Sequence, residues 1–291
     1  MGILTRGSIA AAIVSALGLL GVLAVAANRE LASVGADGLL HPARHPMDAE
    51  ARASHPTTMF DGAGVTLEGW RFPASGRRRG SVVYLHGVAD NRASASGAAA
   101  RFVARGFDVV AYDSRAHGGS GGEACTYGFN EKHDLERVLD VLAPGPVVII
   151  GTSLGAAVAL QAAANDARIT TVVAAESFSD LRTVATERAP WFFPRSTIRD
   201  ALALAEARAR FQIAAVSPVL AASRIHVPVL LVHGELDRET PADHSRRIFA
   251  ALHARKRLLI VPAAGHNESL RSSTWPVIEE WVDSVLMSGD R

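Results

Sequence analysis

Short apolar runs that alternate with helix-forming segments constrain the fold of this chain more than any other feature. Between the runs lie segments such as EKHDLERVLDVL (131–142), whose leucines and valines share one helical face. Strands of an antiparallel sandwich would instead alternate apolar and polar residues, without intervening helices. The pattern predicts an α/β fold with a mostly parallel, doubly wound sheet. The runs are SVVYLHG (81–87), FDVVAYD (107–113), PVVIIG (146–151), ITTVVAAE (169–176), PVLLVHG (228–234) and KRLLIVPA (256–263).

The connection between the fourth and fifth runs is longer than a crossover needs. It covers about fifty residues, 177 to 227, whereas a helical crossover needs about a dozen. We expect a small helical cap inserted at about 181–222, over the open end of the sheet, with a helix from about Thr197 to Arg210. The aromatic residues Trp191, Phe192 and Phe193 precede this helix. They either line a substrate pocket or pack the cap onto the body, and the sequence leaves both open.

The N-terminal segment is apolar over a long stretch. Arg6 is followed by GSIAAAIVSALGLLGVLAVAA, and no charged residue occurs before Arg29. This is about the length of a membrane-spanning helix, roughly 20 residues. It also ends in Ala24-Val25-Ala26, a small-x-small pattern of the kind that signal peptidase cleaves.

Two alternatives for the N-terminus therefore stay open. Residues 1–27 form an apolar helix that is either a membrane anchor, attaching the protein through residues 8–27, or a signal peptide. The protein is accordingly membrane-anchored, or secreted or periplasmic after cleavage. Residues 28–55 lack periodicity and predict a linker, which assigns 56–291 to the α/β domain.

Composition excludes several classes of function. The formal net charge is +1 over 291 residues, so the chain lacks the basic field that nucleic-acid binding requires. Cys125 is the single cysteine, which rules out an intramolecular disulfide, and no CxxC pair or cluster of metal-ligating residues surrounds it. We expect a buried, unreactive thiol at this position. The sequence does not indicate an oligomeric state.

A sharp turn after the third apolar run carries the strongest chemical signal. Gly151-Thr152-Ser153-Leu154-Gly155 has the pattern G-x-S-x-G, between a purely apolar strand and a helix of small residues. Glycines at both ends give room for a tight strand-to-helix turn that exposes the serine hydroxyl above the sheet. The context predicts a nucleophile elbow with Ser153 as the nucleophile.

A serine hydroxyl needs a base, and position selects one among eleven histidines. Catalytic groups of such sheets gather at the carboxyl ends of the strands. His266 lies in a glycine-containing loop just after the last apolar run, which makes it the candidate base. His233 ends the preceding run and is expected to hydrogen-bond its loop. The remaining histidines that follow the serine are expected at the surface or in packing: His226, His244 and His253.

The base in turn needs a carboxylate that holds its tautomer. Asp237 follows the run at 228–234 and is the preferred candidate, with Glu235 in the same loop as a rival. Glu176 and Asp180 follow an earlier run and are also rivals. The order serine, aspartate, histidine is that of the α/β-hydrolases.

Four stretches together resemble the α/β-hydrolase superfamily over about Val65 to Val285. GTSLG (151–155) together with the stretches around Asp237 and His266 is specific for this superfamily. YDSRAHGGSGG (112–122) is typical of its carboxylesterase-like and prolyl-oligopeptidase-like branches. The stretch from Ser217 to Ser245 is similar to the latter branch. The four are YLHGVADNR (84–92), YDSRAHGGSGG (112–122), GTSLG (151–155) and VLLVHGELDRETP with PAAGHNES (229–241 and 262–269).

The resemblance implies an oxyanion hole made of two backbone N–H groups. One belongs to Leu154, after the nucleophile, and the other to Val88, after His86-Gly87. Here HGVADN differs from the HGGG pattern of lipases. Asp113 and His117 are expected to organise their loop.

The combined features predict a serine hydrolase that cleaves a small carboxylic ester through an acyl-enzyme on Ser153, without a metal or organic cofactor. A serine peptidase of prolyl-oligopeptidase-like type is an alternative, although the chain has no room for the gating domain usual in that branch. A lipase or thioesterase acting on lipids is a second alternative. A catalytically silent fold used for binding is the alternative outside the enzymes.

Overall fold

Eight strands form one sheet in the structure, a computed structural model that describes residues 6–45 and 47–289, with the backbone alone for 6–20. Six of the strands coincide with the six apolar runs. The other two, β1 and β2, precede them in the chain. The strands are β1 Thr58–Asp61, β2 Thr66–Phe72, β3 Gly80–Leu85, β4 Phe107–Tyr112, β5 Val147–Thr152, β6 Ile169–Ala175, β7 Val229–Gly234 and β8 Lys256–Val261.

Helices connect the strands from β3 to β8 and cover both faces of the sheet. Short 3₁₀ turns occur at Arg92–Ala95 and Ile213–Ala215. The α-helices are α1 Arg6–Leu40, α2 Ala49–Ser54, α3 Ser96–Ala104, α4 Glu131–Asp140, α5 Leu154–Ala163, α6 Leu181–Arg188, α7 Arg195–Ala209, α8 Pro218–Ala222, α9 Asp243–Ala251 and α10 Trp275–Ser288.

The sheet is mostly parallel, as the apolar runs predict. Its strand order is β1-β2-β4-β3-β5-β6-β7-β8, and β2 runs antiparallel to both of its neighbours. All pairs from β4 to β8 are parallel. The carboxyl ends of β5, β6, β7 and β8 therefore lie side by side along one edge, where loops from distant parts of the chain meet.

Side chains of β3 show how the two faces of the sheet are filled. Val83 and Leu85 point to one core together with α4, α5 and α9. Val82 and Tyr84 point to the other core, which α3 and α10 close. All six residues of β3 are buried, which explains why the run lacks the polar alternation of a half-exposed strand.

Helix α5 is buried over its whole length, which explains its small residues. Its sequence LGAAVALQAA brings the helix backbone close to the sheet directly behind Ser153. This packing fixes the helix that starts at the predicted nucleophile.

The insertion between β6 and β7 is helical, and its main helix, α7, spans Arg195–Ala209, close to the predicted range. A third apolar core joins this cap to the body and to the end of α1. It includes Leu40 of α1, Leu181 of α6, Leu202 of α7 and Phe178.

The predicted linker at 28–55 differs from the structure. Helix α1 continues to Leu40 and α2 covers Ala49–Ser54, so most of this range is helical. The sequence pattern misses the helix because the side chains buried in its part from residue 21 to 40 are small, Ala32 and Ala36, apart from Leu40 at its end. Small residues at this spacing give little hydrophobic periodicity.

Helix α1 packs along α7 of the cap. Asn28 donates to Asp200 at 3.0 Å and accepts from the Thr197 hydroxyl. Near the other end, the Arg208 guanidinium donates to Asp37 at 2.8 Å and to the Ser33 hydroxyl at 2.7 Å. The part of α1 from Asn28 to Leu40 is thereby in the cap layer.

The predicted apolar helix at 1–27 lies partly outside the described residues, since residues 1–5 are not described. From Arg6 onward the segment is helical. No helix in the described part of the chain is long and apolar enough to cross a membrane.

Of the aromatic residues ahead of α7, Trp191 and Phe192 do not pack the cap onto the body. Trp191 is 94% exposed and Phe192 is 61% exposed. Their rings lie edge-on to each other with centroids 5.8 Å apart, and the Phe192 ring lies edge-on to that of Phe193 at 5.3 Å. Pattern alone does not reveal that this cluster faces solvent.

Candidate active site

Ser153 occupies a strained turn between β5 and α5. Its backbone has φ 47° and ψ −107°, a conformation that non-glycine residues rarely adopt. A Cβ on Gly151 would come within 2.6 Å of the Ala156 nitrogen, and one on Gly155 would overlap the carbonyl oxygen of Leu85. The two glycines are therefore required by the close approach of the backbone, as the elbow pattern predicts.

His266 reaches the serine from the loop after β8. Its Nε2 lies 3.1 Å from Ser153 Oγ, across 113 residues of sequence. Its Nδ1 lies 2.7 Å from Asp237 Oδ2, in the loop after β7. An ionised carboxylate only accepts, so Nδ1 carries the proton and Nε2 is free to accept the serine proton. The structure thus brings together the three side chains that the sequence predicts as a triad.

Asp237 is held as an ionised acceptor. Its Oδ1 accepts the N–H groups of Glu239 at 3.0 Å and Thr240 at 2.8 Å. Burial raises the pKa of this carboxyl, but hydrogen bonds from two histidine rings and the Thr240 N–H outweigh it. The pKa of Asp237 consequently lies well below its ordinary value.

His233 supports Asp237 and does not act on the serine. This fully buried ring accepts from the Ser245 hydroxyl at 2.7 Å through Nδ1. Its Nε2 donates to the Thr240 carbonyl at 2.7 Å and lies 3.3 Å from Asp237 Oδ2. The ring therefore braces the loop that carries the acid, as expected.

The rival carboxylates in the sequence have other partners. Asp180 caps α6 by accepting the Thr183 N–H at 2.8 Å. Glu235 accepts the Ala263 N–H at 3.2 Å. Glu176 stays near the histidine, with Oε2 3.9 Å from His266 Nδ1, against 2.7 Å for Asp237. Distance therefore favours Asp237 as the acid.

The remaining candidate histidines lie in packing or at the surface, as expected. His244 is buried between the Ser179 N–H and Glu187, at 3.0 Å and 2.7 Å. His226 and His253 are exposed.

The loop after β3 places backbone donors beside the serine. A Cβ on Gly87 would lie 3.6 Å from the Cβ of Ser153. The N–H groups of Val88 and Leu154 have no hydrogen-bond partner among the described residues. Two unpartnered donors flanking a nucleophile are what an oxyanion hole requires.

His86 fixes this loop, a role that the sequence analysis does not assign to it. Its Nε2 accepts the Ser114 N–H at 2.9 Å, so Nδ1 carries the proton and donates to the Gly87 carbonyl at 2.7 Å. Burial lowers the pKa of His86, which keeps the ring neutral. The His86 ring thereby orients the Gly87–Val88 peptide, and the Ser114 N–H of the loop after β4 holds the ring in place.

The sequence of this chain is similar to those of known proteins. A model described as the alpha/beta hydrolase fold matches residues 80–221. The uncharacterized protein Rv2307c of Mycobacterium tuberculosis is 30% identical over 212 residues, which cover 70% of this chain and 69% of that protein. The chain belongs to the α/β-hydrolase superfamily.

Solved structures share the fold of this α/β-hydrolase. Esterase Pf2001 of Pyrococcus furiosus aligns with a TM-score of 0.63 at 22% identity, covering 85% of this chain and 97% of that one. An acylaminoacyl peptidase of Pyrococcus horikoshii aligns with a TM-score of 0.62 at 15% identity, covering 82% of this chain and 44% of that one. At these identities the likeness concerns the fold alone. Membership of the superfamily supports a hydrolase but does not identify its substrate.

Asp113 and His117 organise the loop after β4 in this α/β-hydrolase, as expected. Asp113 is buried against Arg92, whose backbone N–H it accepts at 2.7 Å, and it also accepts the Gly119 N–H at 2.9 Å. Burial, with the nearby His86 ring, lowers the pKa of His117 to about 4, so this ring is neutral. Neither contacts Ser153.

Arg188, at the end of α6, is a residue near the site that the sequence analysis misses. Its Nη2 lies 3.5 Å from His266 Nε2 and donates to the Thr240 hydroxyl at 2.7 Å. Nothing in the sequence around Arg188 signals this position, because only the fold of the cap brings α6 over the triad.

A cleft adjoins the backbone donors. It has a volume of about 570 Å³, and Val88, Thr152, Glu176 and Asn267 are among its lining residues. A larger cavity of about 700 Å³ lies at the amino ends of β5 and β6, at the opposite edge of the sheet. The smaller cleft lies at the same edge of the sheet as Ser153.

Three side chains of the site have donor atoms close enough for a metal ion. Oxygen or nitrogen atoms of Glu176, Asp237 and His266 all lie within 4.8 Å of one another. Both carboxylates already accept backbone N–H groups, and His266 Nδ1 donates to Asp237. Hydrogen bonding therefore accounts for the cluster, and the absence of a metal remains a prediction.

Proposed function

We propose that this α/β-hydrolase is a serine hydrolase that cleaves carboxylic esters through an acyl-enzyme on Ser153. The observation that carries the proposal is the continuous series of contacts from Ser153 Oγ through the His266 ring to Asp237. It joins a nucleophile, a base and an orienting acid in the arrangement that activates a serine.

Acylation follows from these contacts. His266 Nε2 accepts the serine proton while Ser153 Oγ forms a bond to the ester carbonyl carbon. Asp237 keeps the proton on Nδ1 and stabilises the positive ring. When the bond to the alcohol oxygen breaks, His266 gives its proton to the departing alcohol. The acyl group then remains on the serine.

Deacylation repeats the same proton transfers with water. His266 Nε2 accepts a proton from water as the hydroxyl oxygen bonds to the acyl carbon. The bond to Ser153 Oγ breaks, and the ring returns its proton to the serine. The products are the carboxylic acid and the free enzyme.

The backbone donors supply the electrostatic part of the mechanism. Negative charge develops on the carbonyl oxygen in each tetrahedral intermediate, and the N–H groups of Leu154 and Val88 are the proposed donors to it. In enzymes of this type one such donor lowers the barrier by about 3–4 kcal/mol.

Labelling with a fluorophosphonate probe tests the nucleophile. We expect wild-type protein to label at Ser153, and Ser153→Ala to lose both labelling and hydrolysis of p-nitrophenyl acetate. Ser272→Ala, which changes an exposed serine, is the control and should behave as wild type. Failure of wild type to label, or labelling of Ser153→Ala at the wild-type rate, would contradict the proposal.

A serine peptidase is the second candidate, favoured by the fold shared with the acylaminoacyl peptidase. Parallel assays on p-nitrophenyl esters of increasing acyl length and on a panel of dipeptide amides separate the two. Hydrolysis of esters without hydrolysis of any amide in the panel supports the proposal, and efficient hydrolysis of the dipeptide amides replaces it by the peptidase.

A further inference from the structure

Glu176 is a buried carboxylate in an unusual backbone position. It follows β6, is 1% exposed, and has φ 57°, in the left-handed region that glutamate rarely adopts. Its N–H donates to the Val232 carbonyl of β7 at 2.8 Å, which fixes the residue at the edge of the sheet. The side chain is thereby held next to the loop after β8.

The carboxylate of Glu176 grips the loop on the C-terminal side of His266. Oε2 accepts the N–H of Asn267 at 2.6 Å, and Oε1 accepts the N–H of Ser269 at 3.0 Å. Asn267 itself has φ 64°, so the chain turns sharply directly after the histidine. The two bonds hold this turn against the end of β6.

The same carboxylate also lies near the ring. Oε2 is 3.9 Å from His266 Nδ1, the nitrogen that donates to Asp237 at 2.7 Å. Two carboxylates, from the ends of two neighbouring strands, therefore face one ring nitrogen. A negative charge at this distance stabilises a protonated ring, and more strongly in a buried site than in water.

We infer that Glu176 is a positioning residue for His266. Glu176 holds the loop of His266 by two backbone hydrogen bonds, and it orients His266 Nδ1 when Asp237 is absent. The inference rests on the proposed function, since it concerns the base of that reaction. Glu176 does not touch the reacting atoms, so its effect on the reaction passes through the ring. A histidine displaced by about 1 Å is enough to lower turnover by about 100-fold.

A purely structural carboxylate offers a matched control. Glu131 is 2% exposed and accepts the N–H groups of Thr126 at 2.7 Å and Gly128 at 2.6 Å. It makes the same kind of bonds to a loop but none to the triad. Glu131→Gln reports what loss of such bonds does to stability alone.

The first experiment compares Glu176→Gln with Glu131→Gln on a p-nitrophenyl ester. We expect both to lower the melting temperature. We expect only Glu176→Gln to lower kcat, by about 10- to 100-fold with little change in KM, and to slow fluorophosphonate labelling. If Glu176→Gln does not fold, Glu176→Asp, which keeps the charge but retracts it by one methylene, is measured instead, with the same expected loss of kcat.

The second experiment measures Glu176→Gln in an Asp237→Ala background. If Glu176 supplies the remaining carboxylate there, its loss lowers the residual kcat by a larger factor than in the wild-type background. A purely structural residue would give equal factors in both backgrounds.

The outcomes separate this inference from the proposed function. If wild type neither labels nor hydrolyses esters, the proposed function fails. If wild type is active but Glu176→Gln has the same kcat as Glu131→Gln, the inference about Glu176 is overturned while the proposed function stands. The same holds if Glu176→Gln lowers kcat in the Asp237→Ala background by a factor equal to or smaller than in the wild-type background.

Discussion

At the scale of single residues, the site depends on positions where an added atom does not fit. Ser153 keeps a left-handed backbone because the strand before it and the helix after it leave no alternative path. Gly155 lies against β3, with a would-be Cβ 2.7 Å from the Cβ of Leu85. Such strain persists only where surrounding packing holds it.

We predict that Gly155→Ala destabilises the protein and lowers its activity. The methyl group overlaps the β3 backbone, so α5 must shift, at a cost of about 3 kcal/mol in the free energy of unfolding. The shift also moves the Leu154 N–H away from the serine. Urea unfolding and p-nitrophenyl acetate hydrolysis measure the two effects.

Gly97→Ala is the control for this substitution. Gly97 lies in α3 with nothing within 4 Å of its added Cβ, so alanine should leave stability unchanged or raise it by about 0.5–1 kcal/mol. A Gly155→Ala protein as stable as Gly97→Ala would show that the close packing of α5 on β3 is not as described.

At the scale of elements, helix α1 and cap helix α7 behave as one layer. Asn28 binds Thr197 and Asp200, and Arg208 binds Ser33 and Asp37. This layer also reaches the body, because the Leu40 carbonyl accepts the Cys125 N–H at 2.8 Å. The position of α6, and with it Arg188, depends on the same core.

We predict that Gly35→Leu loosens the layer. A Cβ at Gly35 lies 3.1 Å from the Ala201 Cβ, so a full leucine side chain separates the helices at a cost of about 1–3 kcal/mol. Limited proteolysis should then cut the 177–227 insertion faster, and the melting temperature should fall.

Gly38→Leu tests the specificity of that effect. Gly38 lies in the same helix with nothing within 4 Å of its added Cβ. Equal proteolysis rates in the two variants would argue against a packed α1–α7 contact.

At the scale of the whole molecule, the sequence predicts the elements that follow a recurring pattern. It does not predict contacts between segments that only the fold brings together. Mainly apolar runs identify six strands of the parallel sheet, and G-x-S-x-G with two loop residues after later strands identifies Ser153, Asp237 and His266. Their convergence follows from a general rule, that carboxyl ends of parallel strands share an edge.

Other features have no local signal. Between residues 21 and 40, where its side chains are described, helix α1 buries only two alanines and a leucine. Its packing therefore leaves no strong periodicity, and the segment resembles a linker. Glu176 appears as a rival acid, but only coordinates show that it grips the loop of the base. The solvent exposure of Trp191 is equally a property of the folded cap.

The single thiol gives a test of the whole assembly. Cys125 is fully buried, and burial raises the pKa of its thiol well above the ordinary value. We predict negligible reaction with Ellman's reagent in native buffer and one reactive thiol per chain in denaturant. Rapid reaction of the native protein would show that the contact between α1 and the body opens readily.

The separation of the triad along the chain has a consequence for incomplete molecules. The serine precedes its partner histidine by 113 residues, with the aspartate between them. A proteolytic fragment or a partly synthesised polypeptide that stops before position 266 therefore carries the nucleophile without a proton acceptor. Under the proposed mechanism, a nascent chain would therefore stay inactive until its last strand and the loop of His266 are made.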